Sequence, residues 1–363
     1  MKITLIGAPK IIMSNPEGKH NYFAWPTATR LQNGKIAVVA SGFRIDHVCP
    51  FGKTVIAYSE NEGESYTSPA PVLDTPLDDR DGGILAFGNG GVLVTSFNNT
   101  VAFQRSVIPL CGAKEYRGAY LDTVSAEEEE KYLGATFRVS FDHGVTFGPI
   151  YKSPITSPHG PALLSDGSIL WVGKPFATAE HPVADNRICA YRVNPENGEM
   201  TLVGKIENAR IDGKEVASCE PHAFETKDGR ILCHIRVEES TWQKLFTTYE
   251  SESLDGGKTW SEPAPILSAL GGAPAHIMRH SSGALISVMG YRKSPFGIKA
   301  AVSLDEGKTW DTDHDIYVSG VSHDIGYPST VELADGSLIT VFYAHPEAGA
   351  PALIMQQKWT LTL

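Results

Sequence analysis

Arginine, acidic, histidine and tyrosine residues recur at similar points along the sequence, each close to the start or end of an apolar stretch. These side chains can transfer protons, attack carbon centres or bind anions. An arginine can donate two parallel hydrogen bonds to a carboxylate or sulfate. A tyrosine beside a carboxylate can give up its proton and act as a nucleophile. The candidate functional residues are Arg44, Asp46, Arg80, Asp81, His159, Glu220, His222, Arg236, His276, Arg292 and Tyr327.

A repeated hairpin signal indicates which elements position these residues. A polar residue followed by glycine, between apolar stretches, is typical of a tight β-hairpin turn. The signal occurs six times, at intervals of about 60 residues, which indicates six repeated units. The turn glycines are Gly34, Gly90, Gly167, Gly229, Gly283 and Gly336.

A second turn signal falls between the hairpins. The segment from Ser253 to Trp260 has the pattern S-x-D-x-G-x-x-W, which recurs from Ser303 to Trp310. Weaker copies begin at Ser59 and Ser140. In this pattern the aspartate can accept hydrogen bonds from turn amides, the glycine supplies a positive φ, and the aromatic ring packs below the turn. Each unit therefore contains four antiparallel strands, with the hairpin joining the first two and this turn joining the last two.

Six such units predict an all-β protein, a six-bladed β-propeller of four-stranded antiparallel blades. We expect one domain spanning residues 1–363, with the N-terminal strand completing the last blade. Residues 100–135 do not fit the repeat and predict a short, partly helical insertion in the second blade.

The predicted topology brings the candidate residues to one end of the central channel. Both kinds of turn lie on one face, so the starts of the first strands and the loops after the second strands lie on the other, where the candidates are found. Functional sites of such folds are expected where blades converge. Structural interpretations remain open for several residues. Asp79 and Asp81 could form a clasp with Arg80, His159 and His276 could be buried core histidines, and Glu220 with Arg236 could be a structural salt bridge.

The S-x-D-x-G-x-x-W turns, spaced between the hairpins, resemble the Asp-boxes (BNR repeats) of the sialidase-like β-propeller superfamily. The resemblance extends from Phe23 to Tyr343. It implies an exo-acting glycoside hydrolase that releases a terminal acidic sugar with retention, an exception to the usual pair of carboxylates because the nucleophile is a tyrosine.

The resemblance also implies roles for individual residues. Tyr327 corresponds to the nucleophile, Glu220 to its base and Asp46 to the acid/base, while Arg236 and Arg292 correspond to arginines that bind the substrate carboxylate. We further expect substrate contacts from the remaining candidates. These are Arg44, Arg80, Asp81, His159, His222 and His276.

The first blade departs from the superfamily pattern. Ala24, in Phe23-Ala24-Trp25-Pro26, occupies the place of the first substrate-binding arginine. Loss of one charge-assisted, two-pronged contact costs about 1.5–3 kcal/mol. This departure predicts a substrate other than sialic acid.

Two alternative functions fit the same residues. A lyase acting on a uronic-acid glycan would use Arg236 and Arg292 to neutralise the carboxylate, and Tyr327 or a histidine to remove a proton. A non-catalytic glycan-binding propeller would need only the binding residues.

Composition limits the partners. The 363 residues include 31 Lys and Arg against 42 Asp and Glu, for a net charge of −11, which argues against nucleic acid and anionic membranes. No apolar run approaches the ~20 residues of a membrane span, and no signal peptide is evident. Five cysteines without a C-x-x-C pair favour a reducing, cytoplasmic location. We expect a small carbohydrate as substrate, no metal or other cofactor, and leave the oligomeric state open.

Overall fold

Six antiparallel sheets surround a central channel in the computed structural model, which describes residues 1–239 and 243–363. The first strand of each blade lies innermost, and these first strands contact their neighbours around the axis. This arrangement confirms the predicted six-bladed β-propeller. We call the end of the channel with the hairpin turns the turn face, and the opposite end the mouth.

The first two blades have four strands each, paired in sequence order. Blade one contains β2 (Tyr22–Arg30), β3 (Ile36–Arg44), β4 (Lys53–Ser59) and β5 (Ala70–Leu73). Blade two contains β6 (Ile84–Phe87), β7 (Gly91–Phe97), β8 (Ala135–Ser140) and β9 (Tyr151–Ser153).

The predicted insertion lies between β7 and β8 and is helical, as expected. It contains α1 (Val101–Val107), a 3-10 turn (Ile108–Leu110), α2 (Lys114–Leu121) and α3 (Ala126–Tyr132). The third helix begins with a capping box, in which Ser125 and Glu128 each bond to the other's backbone N–H. None of the helices in the described residues is both long and apolar enough to cross a membrane.

Blades three and four follow the same order, with the inner edge of blade three split between two short strands. Blade three contains β10 (Ile155–Thr156), β11 (Ala162–Leu163), β12 (Ile169–Pro175), β13 (Ile188–Val193) and β14 (Met200–Ile206). A small hairpin of β15 (Arg210–Ile211) and β16 (Lys214–Glu215) precedes blade four. Blade four contains β17 (Ala217–Glu225), β18 (Ile231–Glu238), β19 (Phe246–Ser253) and β20 (Ala264–Pro265).

The last blade joins both ends of the chain. Blade five contains β21 (Ala275–Arg279), β22 (Leu285–Tyr291), β23 (Phe296–Ser303) and β24 (Asp311–Gly320). Blade six contains β25 (Gly326–Glu332), β26 (Leu338–Ala344), β27 (Leu353–Thr362) and β1 (Lys2–Met13). The N-terminal strand β1 is its outermost strand and pairs antiparallel with β27, as the sequence predicted.

In blades one, two, four and five, the turns between the third and fourth strands share one hydrogen-bond pattern. In blade five, Ser303 Oγ accepts the N–H of Gly307 at 2.8 Å, and Asp305 Oδ1 accepts the N–H of Thr309 at 2.9 Å. Gly307 has φ = 86°, a conformation that favours glycine. The Trp310 ring packs against a buried cluster that includes residues of blades four and five. These turns therefore fix the spacing between neighbouring blades.

The apolar core is divided among the interfaces between blades. One cluster joins blades six and one and includes Trp25, Val38 and Val341, all at most 1% exposed. Another joins blades three and four around Leu170 and Ile235. Because each blade packs on two neighbours, the ring holds the inner strands in fixed positions at the channel.

Candidate functional site

A β-bulge near the start of the inner strand aims side chains at the mouth. In blades one, four and six, the inner strand has one more residue than its partner at this point. The extra segment consists of a residue with positive φ followed by proline: Trp25 (φ 55°), Glu220 (49°) and Tyr327 (49°). Asp81 (53°) has the same backbone conformation in blade two. Non-glycine residues rarely adopt this conformation, and it persists only where the surroundings enforce it.

Tyr327, Glu220 and Arg236 form a hydrogen-bonded group that we call the nucleophile cluster. The Tyr327 hydroxyl donates to Glu220 Oε1 at 2.6 Å. Arg236 Nη1 donates to Glu220 Oε2 at 2.7 Å and to the Tyr327 oxygen at 3.1 Å. The salt bridge between Glu220 and Arg236, considered above as a structural interpretation, is present. Both of its members also form hydrogen bonds with the candidate nucleophile, Tyr327.

Burial and charge set the protonation states of the cluster. Burial, followed by the charge of Glu220, raises the pKa of Tyr327 well above its usual value. Burial alone would raise the pKa of Glu220, but the charge of Arg236 and the hydrogen bonds from Tyr327 and Arg236 outweigh it and lower the pKa. The resting cluster therefore contains a neutral tyrosine beside an ionised carboxylate, with the proton already directed at its acceptor.

The two predicted anion-binding arginines share one aromatic support. The guanidinium carbons of Arg236 and Arg292 each lie 4.9 Å from the centre of the Phe246 ring. Arg236 also donates to Glu238 at 2.8 Å. Arg292 donates to the Ile325 carbonyl at 3.1 Å and to the Tyr343 hydroxyl at 3.2 Å. The charge of Arg236 is thus balanced by two carboxylates, whereas the hydrogen-bond partners of Arg292 in the described chain are neutral oxygens.

Asp81 and Arg80 lie beside Trp25 in the same part of the mouth. Arg80 Nε is 3.5 Å from Asp81 Oδ1, and the Arg80 guanidinium lies 4.3 Å from the centre of the Trp25 ring. That ring is in turn 6.4 Å from the ring of Tyr327. Burial raises the pKa of Asp81, and although Arg80 opposes this shift, the charge of Glu220 reinforces it. The structure thus brings Asp81 into electrostatic contact with the nucleophile cluster.

The carboxylates near Arg80 are those of Asp78 and Asp81, and not those of Asp79 and Asp81 as the sequence suggested. Arg80 lies 3.8 Å from Asp78 and near Asp81, but Asp79 turns away and accepts hydrogen bonds from the backbone and side chain of Thr75. Burial raises the pKa of Asp79 to about 7. Asp79 therefore supports its own loop and does not pair with Arg80.

His159, His222 and His276 form a layer deeper in the channel, which we call the histidine layer. Their ring centres are 4.6–5.7 Å apart. A cavity of about 700 Å³ on the turn face is lined by all three rings, so the layer separates it from the nucleophile cluster. The His159 ring is 6.4 Å from that of Tyr327.

Hydrogen bonds define the proton positions of the histidine layer. Nδ1 of His222 accepts the N–H of Ile277, and Nδ1 of His276 accepts that of Thr330, so both rings carry their proton on Nε2. The Thr27 hydroxyl donates to the carbonyl of Pro158. His159 Nδ1 must therefore donate to Thr27, which leaves its buried Nε2 as an acceptor without a hydrogen-bond partner among the described residues.

The histidine layer is neutral and suited to hydroxyl groups. Burial lowers the pKa of His159 to about 4 and places those of His222 and His276 well below their usual value. A metal ion requires a free lone pair, which the Nε2–H groups of His222 and His276 do not offer. The described residues contain no group of three or more histidine, cysteine or acidic side chains arranged to hold a metal.

Two predicted site residues, Arg44 and Asp46, form ion pairs outside the nucleophile cluster. The side chain of Arg44 is 0% exposed and pairs with Asp78 at 2.6 Å. This position argues against the expected direct contact with a substrate. The Asp46 carboxylate pairs with Arg117 of α2, whose side chain is only 1% exposed. Within the described chain that carboxylate has no other side-chain partner, so the expected acid is held by the insertion and not by the nucleophile cluster.

Sequence reasoning missed several residues that shape the mouth. Trp25 contacts the rings of His47 and Tyr327, and its signal was available, since it precedes proline as Glu220 and Tyr327 do. Asp324 is a second omission. It accepts hydrogen bonds from the hydroxyls of Tyr22 and Tyr343 and contacts His47 and His345. Nothing in the sequence pattern marks Asp324 or Arg117.

The sequence from residue 123 to residue 340 matches the family described as BNR repeat-like domain. The chain belongs to this family. No curated protein matches the sequence of this BNR repeat-like protein. Its fold is nevertheless shared with several solved structures of low sequence identity.

Three of these solved structures show how different the proteins with this fold are. A protein of unknown function from Dyadobacter fermentans is 18% identical, with a TM-score of 0.78 over 99% of both chains. The NanB sialidase of Streptococcus pneumoniae is 11% identical, with a TM-score of 0.68 over 97% of this chain and 70% of that one. An α-L-arabinofuranosidase from Fusarium graminearum is 12% identical, with a TM-score of 0.62 over 97% of both. At such identities the likeness shows that this BNR repeat-like protein has the sialidase-like propeller fold.

Proposed function

We propose that this protein is an exo-acting glycoside hydrolase that releases a terminal acidic sugar with retention of configuration, using Tyr327 as nucleophile. The observation that carries the proposal is the 2.6 Å hydrogen bond from Tyr327 to Glu220, with Arg236 bonded to both. A neutral tyrosine whose proton already points at an ionised carboxylate is prepared to attack an anomeric carbon. It also avoids charge repulsion with an acidic sugar.

Arg236 has two functions in the proposed reaction. Its bond to Glu220 keeps that carboxylate ionised before the reaction, and its bond to the Tyr327 oxygen stabilises negative charge that develops there as the proton leaves. Both bonds come from Nη1, so one guanidinium nitrogen contacts both the residue that loses the proton and the residue that accepts it. The covalent tyrosyl glycoside would then be hydrolysed by water.

The shape of the channel supports action on a terminal sugar. The ring centres of the histidine layer lie only 4.6–5.7 Å apart, so a glycan chain does not pass between them along the channel. The Nε2–H groups of His222 and His276 in this layer are donors that suit sugar hydroxyls. Arg292, with neutral hydrogen-bond partners, has charge available for a substrate carboxylate.

A lyase is the second candidate, because His159 carries an unprotonated ring nitrogen and its ring centre lies 6.4 Å from that of Tyr327, but this nitrogen is buried. In that reaction a base removes a proton next to a uronate carboxylate, and the product contains a carbon–carbon double bond. The low pKa of His159, about 4, makes it a weak base and favours hydrolysis.

The test is incubation with a glycan library rich in acidic terminal sugars in 18O-labelled water. Hydrolysis places 18O in the released sugar, and retention appears in the anomer first seen by NMR. Tyr327→Phe should reduce turnover by at least 10²-fold while the protein remains folded. Tyr58→Phe is the matched control, since it removes a hydroxyl that bonds to Gly144 on the turn face.

The outcomes separate the candidates. An unsaturated product without 18O would establish the lyase. Near-normal turnover by Tyr327→Phe would refute the assigned nucleophile. Glycan binding without any turnover would favour the non-catalytic alternative.

A further inference from the structure

A retaining mechanism needs an acid to protonate the leaving oxygen, and Asp46 is poorly placed for this role. Its carboxylate is the counter-charge of Arg117, whose side chain is 1% exposed and also donates to the carbonyls of Val48 and Gly112. Neutralising one member of a pair around a buried guanidinium is strongly unfavourable, because the other charge remains without compensation. The Asp46 carboxylate is therefore committed to Arg117 of the insertion and not to the nucleophile cluster.

Asp81 meets the requirements that Asp46 does not. Its residue is 6% exposed, and its Oδ1 has no hydrogen-bond partner in the described chain. Oδ1 of Asp46 is also without a partner, so the difference lies in the surroundings. Asp81 lies between the Arg80–Phe97 and Ile84–Val94 pairs of blade two, where the inner strand has one extra residue, as it has at Glu220 and Tyr327.

The neighbours of Asp81 tolerate its neutral form. Arg80 is 3.5 Å away, a longer contact than a hydrogen bond, and it also lies 3.8 Å from Asp78. Asp78 can therefore balance Arg80 when Asp81 is protonated. The other charged groups that act on Asp81 are Glu220, Arg44 and His47. Burial and the negative charge of Glu220 favour the protonated form and raise the pKa of Asp81.

We propose that Asp81, and not Asp46, is the general acid and base of this site, an inference that rests on the proposed glycosidase function. In the first step the Asp81 proton moves to the glycosidic oxygen as its bond to the anomeric carbon breaks. The Tyr327 oxygen forms the new bond to that carbon, and its proton passes to Glu220. In the second step Asp81 takes a proton from water, whose oxygen displaces Tyr327, and Glu220 returns the proton to the tyrosine.

The test compares leaving groups in Asp81→Asn and Asp46→Asn. Asparagine tolerates positive φ, so the first variant preserves the bulge. The substrates are 4-nitrophenyl and methyl glycosides of glucuronic, galacturonic and N-acetylneuraminic acids. A nitrophenolate leaves without a proton, but an alkoxide does not. Asp81→Asn should lose 10²–10⁴-fold in turnover of the methyl glycoside and far less with the nitrophenyl glycoside.

A second measurement uses sodium azide, which attacks the anomeric carbon without needing a base. In Asp81→Asn, azide should restore turnover of the nitrophenyl substrate and yield a glycosyl azide. Asp46→Asn should lose stability but keep the wild-type ratio between the two leaving groups. A merely structural defect at Asp81 would lower both rates equally and would not respond to azide.

Three results would overturn the proposal: equal losses on both leaving groups in Asp81→Asn, no glycosyl azide, or the leaving-group pattern in Asp46→Asn. Failure of the underlying function is recognised separately. Absence of turnover by the wild type would overturn both proposals. Turnover that survives Tyr327→Phe, with the Asp81→Asn pattern intact, would overturn only the nucleophile.

Discussion

At the scale of single residues, Glu220 and Glu238 offer a direct comparison, because both bind Arg236 but only Glu220 binds Tyr327. We expect Glu220→Gln to lower kcat by about 10²–10⁴-fold, since an amide cannot accept the tyrosine proton. Glu238→Gln removes the other partner of Arg236 and should cost much less activity. Steady-state kinetics and thermal unfolding of both variants test this. Equal losses would mean that Glu220 acts only by holding Arg236.

A second residue-scale prediction concerns pH. The pKa of His159 is about 4 in the folded protein, below its ordinary value of 6.5. Between these values the unfolded chain binds a proton that the folded protein does not, so this residue makes stability fall as pH falls from 6.5 to 4. His159→Asn can keep the hydrogen bond to Thr27 and should therefore flatten this fall.

The measurement is the free energy of unfolding of wild type and variant at several pH values. Asp79, with a pKa raised to about 7, has the opposite effect over this range, but it is present in both proteins and cancels in the comparison. His181→Asn replaces an exposed histidine and is the control. Identical pH profiles for wild type and His159→Asn would contradict the buried, neutral state of His159.

Individual site residues differed in how far the sequence could predict them. Tyr327 and Glu220 were placed together because repeat position defines which strand starts meet at the channel, and the geometry agrees. Asp46 could not be placed in this way. Its side-chain direction depends on Arg117, which belongs to an insertion without a counterpart in the other repeats.

At the scale of elements, we predict that the helical insertion stabilises the loop of residues 45–52, between β3 and β4, through the ion pair of Arg117 with Asp46. Arg117→Met keeps the volume of the side chain but removes its bonds to Asp46, Val48 and Gly112. We expect a loss of roughly 2–4 kcal/mol, toward the lower end for breaking a buried pair with additional hydrogen bonds, because Asp46 is 35% exposed.

The control lies in the same insertion. Arg105 pairs with Asp122 on the surface, where ion pairs contribute at most about 1 kcal/mol, so Arg105→Met should be nearly neutral. Chemical denaturation measures both, and limited proteolysis should show earlier cleavage of residues 45–52 in Arg117→Met. Similar stability of the two variants would show that the insertion does not support the loop.

At the scale of the whole molecule, β1 joins the N-terminal segment to the last blade by pairing with β27. Removal of residues 2–13 leaves the outer edge of β27 unpaired. We expect a decrease in Tm of about 5–10 °C, which corresponds to roughly 2–4 kcal/mol for a large domain. The double variant Leu5→Ser with Ile11→Ser removes only exposed side chains and keeps the pairing, so its Tm should stay near that of the wild type. An unchanged Tm after truncation would contradict this role of β1.

The overall fold was the most predictable level. Six hairpin signals and the second turn pattern define strand order, and each predicted hairpin is found. The β-bulges were not predicted, although residues 25, 220 and 327 each precede proline. Only the paired register in the structure reveals the extra residue.

The bulges place four residues of different blades in the same type of backbone conformation. Trp25, Asp81, Glu220 and Tyr327 occupy the same backbone conformation in four different blades, so one main-chain geometry presents an indole, two carboxylates and a phenol toward a common centre. The side chains at these four positions therefore differ in chemistry while sharing one type of main-chain conformation. A propeller built in this way can diverge in substrate and reaction while its scaffold remains constant. For protein design, these four bulge positions are places where substitutions can be tested on a known main-chain conformation.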